Sequence, residues 1–172
     1  MSTTTYRFFT HQRKSEVFSV ETLAALVRLE EKIGDNGCSA ETGYCSSDAT
    51  SMLYVSRSND EENWEVCGKL EYAILKEEEN GYTTTVAKIN WLCADKCGQV
   101  LYNRFKALVA GYAKKLALVC SLNEAENQMT VMCRLNFWTR NKFRARHLAY
   151  SSPDNDEAAT CVNIHMETLL NN

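Results

Sequence analysis

The chain has 172 residues, 45% of them hydrophobic and 24% charged, which is enough for one domain with a single sizeable core. Its net charge of −3 and pI of about 5.7 provide no general attraction to nucleic acid or an anionic membrane, so any anion site must be local. No apolar stretch is long enough to span a membrane and the first residues lack a signal-peptide core, so a cytoplasmic protein is expected.

Taken in chain order, Thr3 to Phe9 alternates threonines and aromatics and predicts a first strand. Ser19 offers an N-cap, and Val20, Leu23, Leu26, Val27 and Ile33 recur at helical spacing up to Gly34. Asp35 to Thr50 has no apolar periodicity and reads as a long loop. Three strands follow, at Ser51 to Arg57, Glu65 to Leu75 and Thr83 to Cys93. The Asn80-Gly81 pair predicts a tight turn between the last two, because both residues tolerate positive φ.

The period then changes. Leu101, Phe105, Leu108, Val109, Tyr112 and Leu116 form one apolar stripe, which predicts a helix from about Gly98 to Lys115. Leu116 to Leu122 is almost wholly apolar and predicts a strand covered on both faces. A helix over Glu124 to Leu135 and strands over Thr139 to Tyr150 and Ala159 to Leu170 complete the order. The expected fold class is α/β (α+β): a single domain over 1–172 with a mixed, mainly antiparallel central sheet of about seven strands, flanked by helices.

The eight cysteines lie mostly in apolar runs. Cys93 and Cys97 are followed by no second close pair and by no histidine before His147, so the pattern argues for free buried thiols and no metal. No nucleophile elbow, phosphate-binding Walker loop or zinc-protease helix is present. His11, His147 and His165 are far apart in sequence and have no evident carboxylate partner. Arg140, Lys142, Arg144 and Arg146 alternate, so a strand there would carry all four cations on one face. Such a row suits either a solvated edge or an anionic partner.

This order of elements resembles the acyl-CoA N-acyltransferase (GNAT) superfamily. Lys88 to Asp95 is similar to the end of that family's fourth strand, Cys133-Arg134-Leu135-Asn136-Phe137 to the helix it closes with Leu-Gly-Phe, and Ile164-His165-Met166-Glu167 to its last strand. The resemblance covers about residues 50 to 170. It implies acetyl-CoA as cofactor, held by the splayed fourth strand and by a glycine loop at the next helix N-terminus, whose amides meet the pyrophosphate. The corresponding residues are Leu92, Cys93, Ala94, Lys96, Cys97, Gly98, Gln99 and Val100, with Asn123 and Asn127 beyond the next strand. Of the family's Gln/Arg-x-x-Gly-x-Gly/Ala pattern only Gly98 is kept. Asp95 replaces the basic or amide residue, and Val100 takes the second small position.

The family's proton donor is often a tyrosine five residues before the closing Phe. Counting back from Phe137 gives Met132, with Cys133 as the adjacent thiol. The family's base is often a carboxylate on the fourth strand, where Lys88, Asn90 and Leu92 share a face. Asn90 and Cys133 are therefore the candidate reactive-site residues. The resemblance implies an N-acetyltransferase acting on an amine of a small molecule or a protein. The damaged loop keeps open a second reading, a non-catalytic binder of a protein partner on the same fold, as in ornithine decarboxylase antizyme. Nucleic acid ranks last as a partner, and a homodimer is left open.

Overall fold

The computed structural model describes residues 3–12, 18–33, 51–123, 126–151 and 161–170, the side chains of Asn123 and Ser151 excepted. The predicted loop Asp35 to Thr50, Pro153 and the rest of its connection lie outside them.

The elements are β1 (Thr5–Gln12), α1 (Val20–Ile33), β2 (Ser51–Ser58), β3 (Glu65–Glu79), β4 (Tyr82–Ala94), α2 (Gly98–Val109), β5 (Lys115–Asn123), α3 (Gln128–Arg140), β6 (Arg144–Ser151) and β7 (Cys161–Leu169). All ten predicted elements are present, in the predicted order. Ser19 caps α1, its Oγ accepting from the Thr22 amide at 3.2 Å. Asn80 and Gly81 take φ of 53° and 80°, as the tight turn requires.

The strands form one sheet in the order β1-β2-β3-β4-β5-β7-β6. Every pairing is antiparallel except β4 with β5. That parallel pair is made by the α2 crossover and covers only Val86 to Ile89 against Lys115 to Leu118. One face of the sheet carries the main core. Leu53, Val55, Leu70, Ile89, Leu92, Leu116 and Leu118 pack there with Leu101, Tyr102, Phe105 and Val109 of α2 and Trp138 of α3. Each such side chain contributes roughly 1.5–3 kcal/mol on burial, and the i, i+4, i+8 spacing of Leu101, Phe105 and Val109 makes α2 a lid over this face.

Two boundaries differ from expectation. Helix α2 stops at Val109, and Tyr112, read as part of its stripe, is exposed beyond the end. Helix α3 starts four residues later than predicted and runs to Arg140, because Asn127 caps its start and Asn141 its end. The expected strand at Thr139 therefore begins at Arg144. The row of four cations is divided: Arg140 closes α3, Lys142 lies in the turn at φ 69°, and only Arg144 and Arg146 are on β6, where a register shift separates Ala145 from His147.

Candidate functional site

Two irregularities in β4 build the site. The register of β3 against β4 moves from Glu71↔Trp91 to Tyr72↔Ile89, so Asn90 is an extra residue, a β-bulge. Beyond Ile89 the strand also leaves β5, and among the described residues the backbone from Asn90 to Ala94 keeps β3 as its only strand partner. The two strands splay there into a V, and one edge of β4 is open to a ligand's amides.

The bulge corrects the expected alternation of Lys88, Asn90 and Leu92. Leu92 joins the core cluster with Ala87 and Ile89, whereas Asn90 and Trp91 fall between two core-facing positions. Trp91 and Cys93 face the side of the sheet that carries α1, where Lys69 lies 5.9 Å from the Trp91 ring and pairs with Glu30. Burial pushes the Cys93 thiol up to about 11. Asn90 is buried, with 7% exposure, at the apex of the V.

Only residues 95–97 separate β4 from α2. Asp95 is held at three points: its amide donates to the Cys67 carbonyl at 2.7 Å, its carbonyl accepts from Arg57 Nη1 at 2.9 Å, and its carboxylate accepts from Arg57 Nη2 at 2.5 Å and pairs with Lys32 at 3.0 Å. The Lys32 hydrogen bond, with Arg57 behind it, holds this carboxyl below its ordinary range. Its negative charge is thus spent on β2 and α1. An aspartate at this place in the loop would repel a pyrophosphate at α2 if its charge were free, and here it is not.

Lys96 is exposed at φ 59°. Cys97 is buried, and its thiol donates to the Cys67 carbonyl at 3.0 Å, which leaves α2 without a side-chain cap. The first-turn amides of Gly98, Gln99 and Val100 therefore carry the positive end of the helix dipole uncapped by Cys97. Gly98 borders α3: a methyl placed on it would lie 3.6 Å from the Phe137 ring. Gln99 is tied to α3 by a reciprocal amide pair with Asn141, at 2.8 and 3.1 Å, and also donates to Asn103 at 2.9 Å.

Helix α3 supplies the other wall. Arg134, with 4% exposure, donates to the Ser121 carbonyl at 2.8 Å and forks onto Glu126 at 2.9 and 3.2 Å. Trp138, with 1% exposure, packs edge-on against Tyr102, Phe137 and Phe143. The helix closes with Asn141, Lys142 at positive φ and then Phe143, so Phe143 takes the closing position that the sequence pattern assigned to Phe137. Counting five residues back gives Trp138 and not Met132. The register that drew attention to Cys133 is replaced, and Cys133 is exposed, away from the buried Arg134 and Trp138. Asn127 spends its side chain on the Met129 amide at 2.8 Å. Asn123 ends β5 opposite Cys161.

Leu92, Ala94, Cys97, Gly98, Gln99 and Val100 are therefore brought to one end of the V with Asn90 at its apex, while Cys133 and Asn127 are not turned into it. The donors of this end fit an acyl-CoA in kind: a strand edge of N–H and C=O groups for the pantetheine amides, and first-turn amides with the Asp95 carboxylate directed elsewhere for the diphosphate.

A seven-stranded, mainly antiparallel sheet with a bulged, splayed fourth strand leading into a helix is the acyl-CoA N-acyltransferase fold, and the chain has it. No family model matches the chain, and no curated protein matches it in sequence. Solved structures do match. Arabidopsis thaliana NAA60 in complex with acetyl-CoA is 10% identical with a TM-score of 0.60, covering 98% of this chain and 100% of that one. The N-acetyltransferase from Staphylococcus aureus Mu50 is 9% identical with a TM-score of 0.57 over 98% and 99%. The ribosomal-protein-S18-alanine N-acetyltransferase from Escherichia coli is 8% identical with a TM-score of 0.56 over 96% of each chain.

Proposed function

We propose that the chain is an acetyl-CoA-dependent N-acyltransferase that transfers the acyl group directly to an amine of a small molecule or a protein. The observation that carries this reading is the open β4 edge from Asn90 to Ala94, with the bulge at its start and the uncapped α2 N-terminus at its end. A bound acyl-CoA supplies the activated thioester. The backbone groups of Trp91 to Ala94 pair with the pantetheine amides and fix the direction of the arm. The Gly98, Gln99 and Val100 amides face the phosphates, with Lys96 as the adjacent cation. At the apex the Asn90 side-chain amide donates to the thioester carbonyl oxygen, where charge develops during attack. The amine enters from the α1 side of the sheet, and Cys133, exposed and turned away from the V, has no part in the transfer.

One observation favours the second reading, a non-catalytic protein binder. Trp138, an indole with no hydroxyl, fills the position five residues before the closing Phe143. Isothermal titration of acetyl-CoA separates the two, with Gly98→Glu as the control, because a carboxylate there repels the diphosphate and meets Phe137. Micromolar binding lost in the variant, followed by thioester cleavage with an amine panel, supports the enzyme. Absence of binding at millimolar acetyl-CoA refutes it and leaves the binder reading.

A further inference from the structure

A cavity of about 920 Å³ lies between the C-terminal half of α2, the turn after α3 and the ends of β6 and β7. That volume lies within the roughly 300–1,000 Å³ range of small-molecule sites. The reciprocal Gln99–Asn141 amide pair stands between it and the first turn of α2. Lys106, Lys142, Arg144 and Arg146 line it, opposed by one carboxylate, Glu167. That carboxylate is already committed, to Arg146 at 2.8 Å and to Lys115 at 3.1 Å. Lys106, Lys142 and Arg144 make no ion pair among the described residues, so the wall carries uncompensated positive charge in a chain whose total is −3.

Two further features mark the cavity wall. Lys142 stands at φ 69°, a left-handed conformation that glycine or asparagine adopts more readily. A lysine at this position puts a cation on the cavity wall at the expense of backbone strain. Tyr102 also lines the cavity. It is 1% exposed and its hydroxyl has no hydrogen-bond partner among the described residues, which is uncommon for a buried phenol. Burial raises its pKa, so it remains a neutral donor. The side chains of Ala107 on α2 and Ala110 at its C-cap are small enough to leave room for a flat apolar body beside the cations.

We propose that this cavity binds a small-molecule phosphomonoester whose phosphate is attached to an aromatic body, at a site separate from the β4–β5 cleft. The dianion meets Lys106, Lys142 and the planar fork of Arg144, which suits phosphate geometry. The aromatic body lies over Ala107 and Ala110, and Tyr102 donates to a polar atom on it.

The test uses AMP as the probe, titrated calorimetrically into the full chain at low salt, with adenosine and inorganic phosphate as its separated halves. AMP is expected to bind at least about tenfold more tightly than either half. Arg144→Gln and Lys106→Gln should each weaken it about tenfold, the scale of one charge-assisted hydrogen bond. Lys142→Gly should weaken it while leaving the thermal midpoint unchanged or higher, which excludes unfolding as the cause. Saturating acetyl-CoA should leave AMP affinity unchanged. The proposal is overturned if AMP fails to bind at millimolar concentration, if adenosine binds as well as AMP, if the three variants bind normally, or if acetyl-CoA competes.

Discussion

Gly68 offers the sharpest test of how the α2 N-terminus is seated. It pairs with Ala94 across β3 and β4 and lies beside the Cys67 bulge, where the register against β2 shifts between Val55 and Ser56. A methyl added to it would lie 2.8 Å from Cys97 Sγ, 3.1 Å from Leu101 Cδ2 and 3.2 Å from Val55 Cγ1. The sulfur cannot swing aside cheaply, because it is 1% exposed and donates to the Cys67 carbonyl. Gly68→Ala is therefore an overpacking change expected to cost about 1–3 kcal/mol. Cys97→Ala alone loses one buried hydrogen bond and a small apolar volume, about 1–2 kcal/mol. In the double variant the new methyl occupies the space the sulfur left, so the two costs should fall short of their sum by about 1 kcal/mol or more. Urea unfolding of the four proteins, with the m-value checked for constancy, measures this coupling. Additivity within about 0.3 kcal/mol would refute the claim that this contact sets the position of α2.

Three other expectations follow from the charges. Asp95→Asn should destabilise by about 1–2 kcal/mol at neutral pH, read by chemical denaturation. The native Asp95 and Glu65 carboxyls are both held below their ordinary range, first by Lys32 hydrogen bonds, so their stabilisation is complete above about pH 5 and is lost as pH falls below 4. A native stability that is flat from pH 5 to 2 would contradict this. His165 acts in the same direction at a higher pH: burial first, then stacked His147 at 3.9 Å and the charge of Lys88, lower its pKa. The unfolded chain then takes up a proton near pH 6.5 before the folded one does, so stability should fall between pH 7 and 5, and less so in His147→Gln. Arg134→Ala should cost about 1–3 kcal/mol, since it removes the charge-assisted bonds to the part-buried Ser121 carbonyl and to Glu126. A thermal melt unchanged by Arg134→Ala would mean that α3 is not held to β5 by this fork.

The turn and cap residues were the readable part of the sequence. Ser19, the Asn80-Gly81 pair and the period change at Gly98 act within a few positions, and each element they bound is where the sequence puts it. The α3 terminus was not readable in the same way. Leu135-Asn136-Phe137 imitates the closing pattern that Asn141, Lys142 and Phe143 supply, and a lysine gives no local sign of a left-handed turn. Nor does Asn90 announce a bulge, since no glycine or proline marks it and only the partner strand reveals the extra residue. The Asp95 contacts are the clearest case of what local reading misses. Its position beside Gly98 predicts repulsion of a phosphate, but residues 38 and 63 positions earlier, Arg57 and Lys32, take up the charge.

The short β4–β5 ladder has a consequence for how the molecule opens. Among the described residues, four pairs, Val86 to Ile89 against Lys115 to Leu118, are the only strand pairing between the β1–β4 part of the sheet and the β5–β7–β6 part. The long antiparallel ladders on either side lie each within one part. A sheet built this way should exchange its amide hydrogens as two blocks, with the seam amides of β4 and β5 released by partings that leave both blocks intact. The end of that seam is the apex where Asn90 sits, so the most easily parted line in the sheet leads directly to the bulge.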